Sequence, residues 1–352
     1  MAYTTINKPS EYFNTHLYSG NDTTNNQQVG LTPDLVWVKC RNNAVPSHYI
    51  VDKVRGDRKY ISSNATTAEQ TDSNTFDLVS GGFNLDGGNG WTNLTGRNYV
   101  SWNWKANGAG VSNTDGSITS TVSANTTSGF SIVSYIGNAT DGATVGHGLG
   151  ANPAMIIFKN RIDSSSAKWA VYHKGAFVSQ ADPNILYLDD AGVEADDTNV
   201  LGGSSVTLNS TVFSLGSYNG SNGSSDNIIA YCFAEKKGFS KFGRYIGNAN
   251  TNGTFIYTGF KPAWFLIRPT GGGQWFVWDN KRNPINQAQQ ILSPEANYAE
   301  GGGAGSAIDF LSNGIKMRNI DGGINGNGAT YIYMAFAENP LVGTNGVPAT
   351  AR

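Results

Sequence analysis

The chain has 352 residues, of which 14% are charged against a globular average of about 25%, and it carries 44 glycines and a net charge of -2. That balance, with no long basic block, excludes phosphate-backbone recognition, which needs clustered Lys and Arg. No apolar run approaches the roughly 20 residues needed to cross a bilayer, and the length allows two or three domains.

Residues 1–10 read as an N-terminal arm, free to pair with a neighbouring subunit. No charged start followed by an apolar core is present, so no signal peptide is expected. The first unit spans residues 11–107. In it Leu17-Tyr18-Ser19-Gly20-Asn21 is an aromatic strand end running into a Gly-Asn turn. Gly30, Leu31 and Pro33 then introduce Leu35-Val36-Trp37-Val38-Lys39, an apolar run closed by a cation six residues after the proline. Such a run reads as a strand buried on both faces, and the proline is tolerated at its start, where no ladder donor is needed. His48-Tyr49-Ile50-Val51-Asp52 follows as the next strand. The basic cluster Arg55-Gly56-Asp57-Arg58-Lys59 reads as a charged hairpin tip. Residues 76–85 suggest two short strands over a glycine turn, and 99–106 form an aromatic closing strand.

Residues 108–128 are a linker whose segment 117–123 alternates well enough to be an added strand. The second unit, 129–237, repeats the plan. Tyr135-Ile136-Gly137-Asn138 leads to Gly148, Pro153 and Met155-Ile156-Ile157-Phe158-Lys159, then to Trp169-Ala170-Val171-Tyr172-His173, and it closes on 228–235. The third unit, 238–339, follows almost without a linker. Tyr245-Ile246-Gly247-Asn248 precedes Gly259, Pro262 and Ala263-Trp264-Phe265-Leu266-Ile267-Arg268, then Trp275-Phe276-Val277-Trp278-Asp279, and 331–338 close it. Residues 286–298 offer a helical period that Pro294 interrupts. Residues 340–352 form an extended tail. The expectation is an all-β chain of three tandem β-sandwich units, jelly-roll or lectin-like, with Val36, Ile157 and Leu266 in matching places.

Catalytic constellations are sparse. His16, His48, His147 and His173 follow no metal-ligand spacing, and no nucleophile elbow, phosphate loop or zinc helix occurs. A non-enzymatic protein without cofactor is expected. Cys40 and Cys232 fall on strands of different units and read as two buried thiols. The acidic run Asp189, Asp190, Glu194, Asp196 and Asp197 could gather oxygen ligands for calcium, although it lacks the alternation and closing Glu of an EF-hand loop.

Lys39, Lys159 and Arg268 occupy one position in three units. They mark either a shared function or cross-strand pairs, Lys39 with Asp52 and Arg268 with Asp279, and the structural account is preferred. Trp169, Tyr172, Trp275 and Trp278 stand on the strand after the signature run. They are either sugar-stacking rings or core.

Several stretches together resemble a family of virion proteins of tailed marine bacteriophages. They are Ile6-Asn7-Lys8-Pro9-Ser10-Glu11-Tyr12-Phe13-Asn14-Thr15, residues 99–108, Gly129-Phe130-Ser131-Ile132-Val133-Ser134-Tyr135, Gly146-His147-Gly148-Leu149-Gly150, and Ala335-Phe336-Ala337-Glu338-Asn339-Pro340 with the Ala349-Thr350-Ala351-Arg352 end. The likeness covers nearly the whole chain. It implies a structural, tail-associated protein located in the virion after synthesis in the host cytoplasm, and it brings no catalytic residue. With the β pattern it leads to a fibre, tip or adaptor that contacts the host surface. The expected partners are itself, as a homotrimer or higher closed oligomer, other tail proteins, and a host-surface glycan. A head decoration or head-fibre protein is the alternative. A glycan depolymerase is a second one, for which the sequence names no pair of carboxylates.

Overall fold

A computed structural model describes residues 3–162, 167–176, 184–196, 198–202, 206–343, 346 and 348–349. The three apolar runs closed by a cation become the strands Leu35–Cys40, Met155–Asn160 and Phe260–Pro269, each buried along its whole length. In every unit the signature strand lies third in the same antiparallel order: opening strand, closing strand, signature strand, following strand. The first sheet runs Phe13–Ser19, Asn98–Trp104, Leu35–Cys40, Tyr49–Asp52. The second has eight strands, the middle four of which run Phe130–Ile136, Asn227–Phe233, Met155–Asn160, Ala170–His173, and the third runs Ser240–Ile246, Thr330–Pro340, Phe260–Pro269, Phe276–Asp279. All-β architecture is thus the observed class, with three short helices of four residues among the described residues.

Burial on both faces has a simple cause. Side chains alternate across a strand, and each main sheet has a partner on either side. One face meets a smaller sheet of the same unit. These are Asn25–Gln28, Gly82–Leu85 and Phe76–Val79 in the first unit, Ala143–Gly146 with Val212–Leu215 in the second, and Phe255–Tyr257, Gly314–Met317 and Ile308–Leu311 in the third. Val36 and Val38, Ile156 and Phe158, and Phe265 and Ile267 fill these three separate cores. The other face turns to a single core shared by all three units, where Leu35 and Trp37, Met155 and Ile157, and Trp264 and Leu266 meet. Register fixes the equivalence: Leu35, Met155 and Trp264 pair with Asp52, His173 and Asp279. The residue matching Ile157 and Leu266 is therefore Trp37, and the expected Val36 is one position off and faces the opposite core. At the centre lies an apolar cavity of about 20 Å³, lined by residues such as Trp37, Ile157 and Leu266, with room for roughly one water and no polar group to hold it.

Two further expectations are corrected by packing, and the added strand is present with shifted bounds. The arm is docked on its own chain: Tyr3 Oη donates to the Gly259 carbonyl at 2.5 Å, Thr4 Oγ1 to that of Lys237 at 2.8 Å, and Ile6 enters the shared core. Arg55 is no hairpin-tip charge, because its side chain is fully buried. The added strand is Ser120–Asn125, which joins the second unit's sheet beside Phe130–Ile136 and carries Val111–Asn113 at its outer edge. Cys40 and Cys232 are free, buried thiols.

Candidate functional site

Each signature strand delivers its cation two residues beyond Trp37, Ile157 or Leu266, on the same face, at the rim of the shared core. Lys39, Lys159 and Arg268 are fully buried there. The expected pairs do not form, since Asp52 lies opposite Leu35 rather than Lys39, and Asp279 opposite Trp264 rather than Arg268. Each reaches a loop of another unit instead. Lys39 Nζ donates to the Asn297 carbonyl at 3.1 Å, Lys159 Nζ to that of Thr66 at 2.9 Å, and Arg268 Nη1 to that of Tyr187 at 2.8 Å. The first unit thus holds the third, the second holds the first, and the third holds the second. Burial pushes Lys39 down to about 8, and pushes Arg268 down to about 10 against the opposing pull of Glu295, Asp190, Glu194 and Asp189.

The same three seams recur one strand over. His48 Nε2 donates to the Ser293 carbonyl at 2.9 Å, Trp169 Nε1 to that of Ala65 at 3.0 Å, and Trp275 Nε1 to that of Tyr187 at 2.9 Å. The backbone joins in, because the N–H groups of Glu300, Glu69 and Glu194 donate to the carbonyls of Arg41, Arg161 and Thr270. Carboxylates close two seams. Glu69 pairs with Arg161 at 2.9 Å and Arg55 at 3.3 Å, and Glu300 with Arg41 at 2.8 Å and Arg282 at 3.1 Å. Burial acts to raise the Glu69 carboxyl, but Arg161 and Arg55 hold it below its ordinary value. Beneath them Asp52 and Asp279, each bound to an arginine three residues on, accept Tyr231 Oη at 2.8 Å and Trp102 Nε1 at 3.1 Å from the next unit. In the second unit the matching residue is His173, whose Nε2 donates to the Tyr333 carbonyl at 3.0 Å.

This geometry reassigns the residues expected to bind ligands. Trp169, Tyr172, Trp275 and Trp278 are all buried, and Trp278 Nε1 donates to the Ser306 carbonyl at 2.9 Å, so no ring face is open for a sugar. The acidic run is a seam loop. Asp189 Oδ1 caps the Trp169 N–H at 3.0 Å, Asp190 pairs with Lys168, and Glu194 Oε1 accepts from Asn184 at 3.2 Å. Burial raises the Asp189 carboxyl, whereas the Lys168 hydrogen bond lowers that of Asp190. The Asp196 side chain and Asp197 lie outside the described residues. Among the described residues no group of three or more His, Cys, Asp or Glu is placed to hold a metal ion.

Two signals of the seams stand in the sequence without naming their partners. Asp52 and Arg55 recur as Asp279 and Arg282, and the stretch from Ala65 to Glu69 recurs from Ala296 to Glu300 with alanine at the first and fourth places.

Glu295 provides a test of seam chemistry. Its Oε1 accepts the Trp275 N–H at 3.2 Å while Oε2 is buried without a hydrogen-bond partner, and burial raises its carboxyl to about 7. The folded protein then keeps a proton that the unfolded chain releases near pH 4.5, so stability falls as pH rises from 4.5 to 7. Glu295→Gln retains the acceptor and removes the fall. A gain of roughly 1–2 kcal/mol at pH 8 and little change at pH 5 is expected from urea midpoints. Equal effects at both pH values would refute this.

Fold and seams define a class: a single-chain, all-β body in which three sheets close around one core through a ring of mutual locks. The chain belongs to a family described as domain of unknown function (DUF7483), which matches it over residues 8–340. No curated protein and no solved structure matches it.

Proposed function

We propose that the protein is a non-enzymatic structural component of a bacteriophage particle, tail-associated as a fibre, tip or adaptor that meets the host surface. The observation that carries this reading is the closed ring of three seams. A body whose every sheet is locked to both others opens only as a whole, which suits a part that transmits force without changing shape. The sequence resemblance to virion proteins supports the phage setting.

Immunogold labelling of purified particles tests the placement. Gold at the tail supports it, gold confined to the capsid replaces it with the head-decoration reading, and unlabelled particles refute both. Other tail proteins and a host-surface glycan are the partners that follow. One chain already closes three sheets into a ring, so the homo-oligomer is a separate matter, read from the solution mass. A trimer or higher closed assembly supports it, and a monomer removes it while leaving the tail placement intact.

A further inference from the structure

The smaller sheets supply an internal comparison, because one position can be followed through three units of a single chain. On the outer face of the third unit's sheet, Phe255 stands opposite Lys316 and Tyr257 opposite Gly314. The corresponding pairs are Asn26 with Asn84 and Gln28 with Gly82 in the first unit, and Thr144 with Ser214 and Gly146 with Val212 in the second. The fold therefore forms with small or amide side chains at the places of Phe255, Tyr257 and Lys316. Only the third unit puts two aromatic rings and a cation there.

The rings are open. Phe255 is 43% exposed and Tyr257 54%, while Ile256 between them is buried in the third core. The Phe255 ring lies against Gly314, where a Cβ would clash with the Ile256 carbonyl oxygen and stand 2.9 Å from the Phe255 Cε2, so backbone and ring both approach closely there. Tyr3 extends the surface, with its hydroxyl bound to the Gly259 carbonyl beside Tyr257 and the Lys237 ammonium 4.7 Å from its ring centroid. Charge on this face is net positive: Asp309, which stands opposite Lys316 on the neighbouring strand, pairs with Arg318 at 3.1 Å, so two cations share one carboxylate.

We propose that this face, built on Phe255, Tyr257 and Lys316, binds an acidic polysaccharide. The apolar C–H faces of successive sugars lie on the rings, and a carboxylate or sulfate of the chain meets Lys316. Aromatic rings set among hydrogen-bonding side chains match the alternation of apolar faces and polar rims in a pyranose, and the excess of Lys316 and Arg318 over Asp309 selects an anionic chain. This rests on the host-surface part of the proposed function.

Affinity electrophoresis of the full chain in gels containing a polyuronate, a sulfated galactan or neutral dextran tests it. Retardation by one or both anionic polymers and none by dextran is expected, weakening as salt rises. Phe255→Asn with Tyr257→Gln copies the first unit's residues, so the fold is retained, as an unchanged thermal midpoint verifies. Binding should fall by about tenfold or more. Lys316→Gln should flatten the salt dependence.

No retardation by either anionic polymer overturns the proposal, as does equal retardation by dextran or undiminished binding by the double variant. Self-association abolished by the double variant would assign the face to a second copy and overturn it too. A tail location established by labelling while these gels show no binding would sink the glycan site alone.

Discussion

Arg282→Met should destabilise the whole chain by about 3–5 kcal/mol, the usual cost of leaving a buried charge without its partner. The Arg282 side chain is fully buried. Its Nε lies 2.5 Å from Asp279 Oδ2, its Nη1 3.1 Å from Glu300 Oε1, and its Nη2 donates to the Val277 carbonyl at 2.9 Å. Trp102 from the first unit donates to the same Asp279 oxygen and has the guanidinium carbon 5.8 Å from its ring centroid. Removing the guanidinium strands a carboxylate inside the seam between the first and third units. Arg55→Met should act alike at the other seam, where burial opposes the charge of Arg55 but Asp52, Tyr231 and Glu69 sustain it. Because the seams form a ring, unfolding should remain one transition in either variant. Urea unfolding followed by far-UV dichroism measures it. A loss below about 1 kcal/mol, or a separate early transition, would show that the seams are not coupled.

Acid should begin to destabilise the protein near pH 6.5, before carboxylates of ordinary value titrate. His48 and His173 are both completely enclosed, and burial pushes each down to about 3, with the Lys39 charge adding to the effect at His48. Partners assign the tautomers: Nε2 of each carries the proton and faces a carbonyl, and Nδ1 accepts from Trp37 Nε1 at 2.8 Å in one case and from the Gly175 N–H at 2.9 Å in the other. Neither ring has a free site for a second proton. Below pH 6.5 the unfolded chain takes up a proton at each histidine and the folded one does not, so stability is lost progressively from pH 6.5 down to about 3. The loss amounts to several kcal/mol per histidine. His173→Gln should flatten the dependence of the urea midpoint on pH across this interval. An unchanged slope would mean that His173 is protonated in the folded state.

Strand placement was legible because it is local. A glycine or proline, four or five bulky residues and a cation define the signature strand wherever they occur, and the antiparallel neighbours follow from short turns. Register was legible only to within a residue. Val36 and Trp37 are both bulky, and which of them faces the shared core depends on pairing with Ile50 and Trp102 rather than on residue type. What Lys39, Lys159 and Arg268 do could not be read from spacing, since their acceptors are backbone carbonyls, which leave no mark in a sequence and here belong to another unit. Burial of Trp169, Tyr172, Trp275 and Trp278 escaped for the same reason. A sheet covered on one side leaves half its aromatics open, whereas these sheets are covered on both.

Lys39 waits for an acceptor 258 residues downstream, and His48 for one 245 residues downstream. During synthesis the first unit's rim therefore stays open, with the third Lys39 bond and the His48 Nε2 bond unmade, until the third unit has emerged. Closure is bound to be late, slow and all at once, as expected where distant pairings dominate. A nascent chain cut short before residue 293 would lack the carbonyls that close the seam between the first and third units.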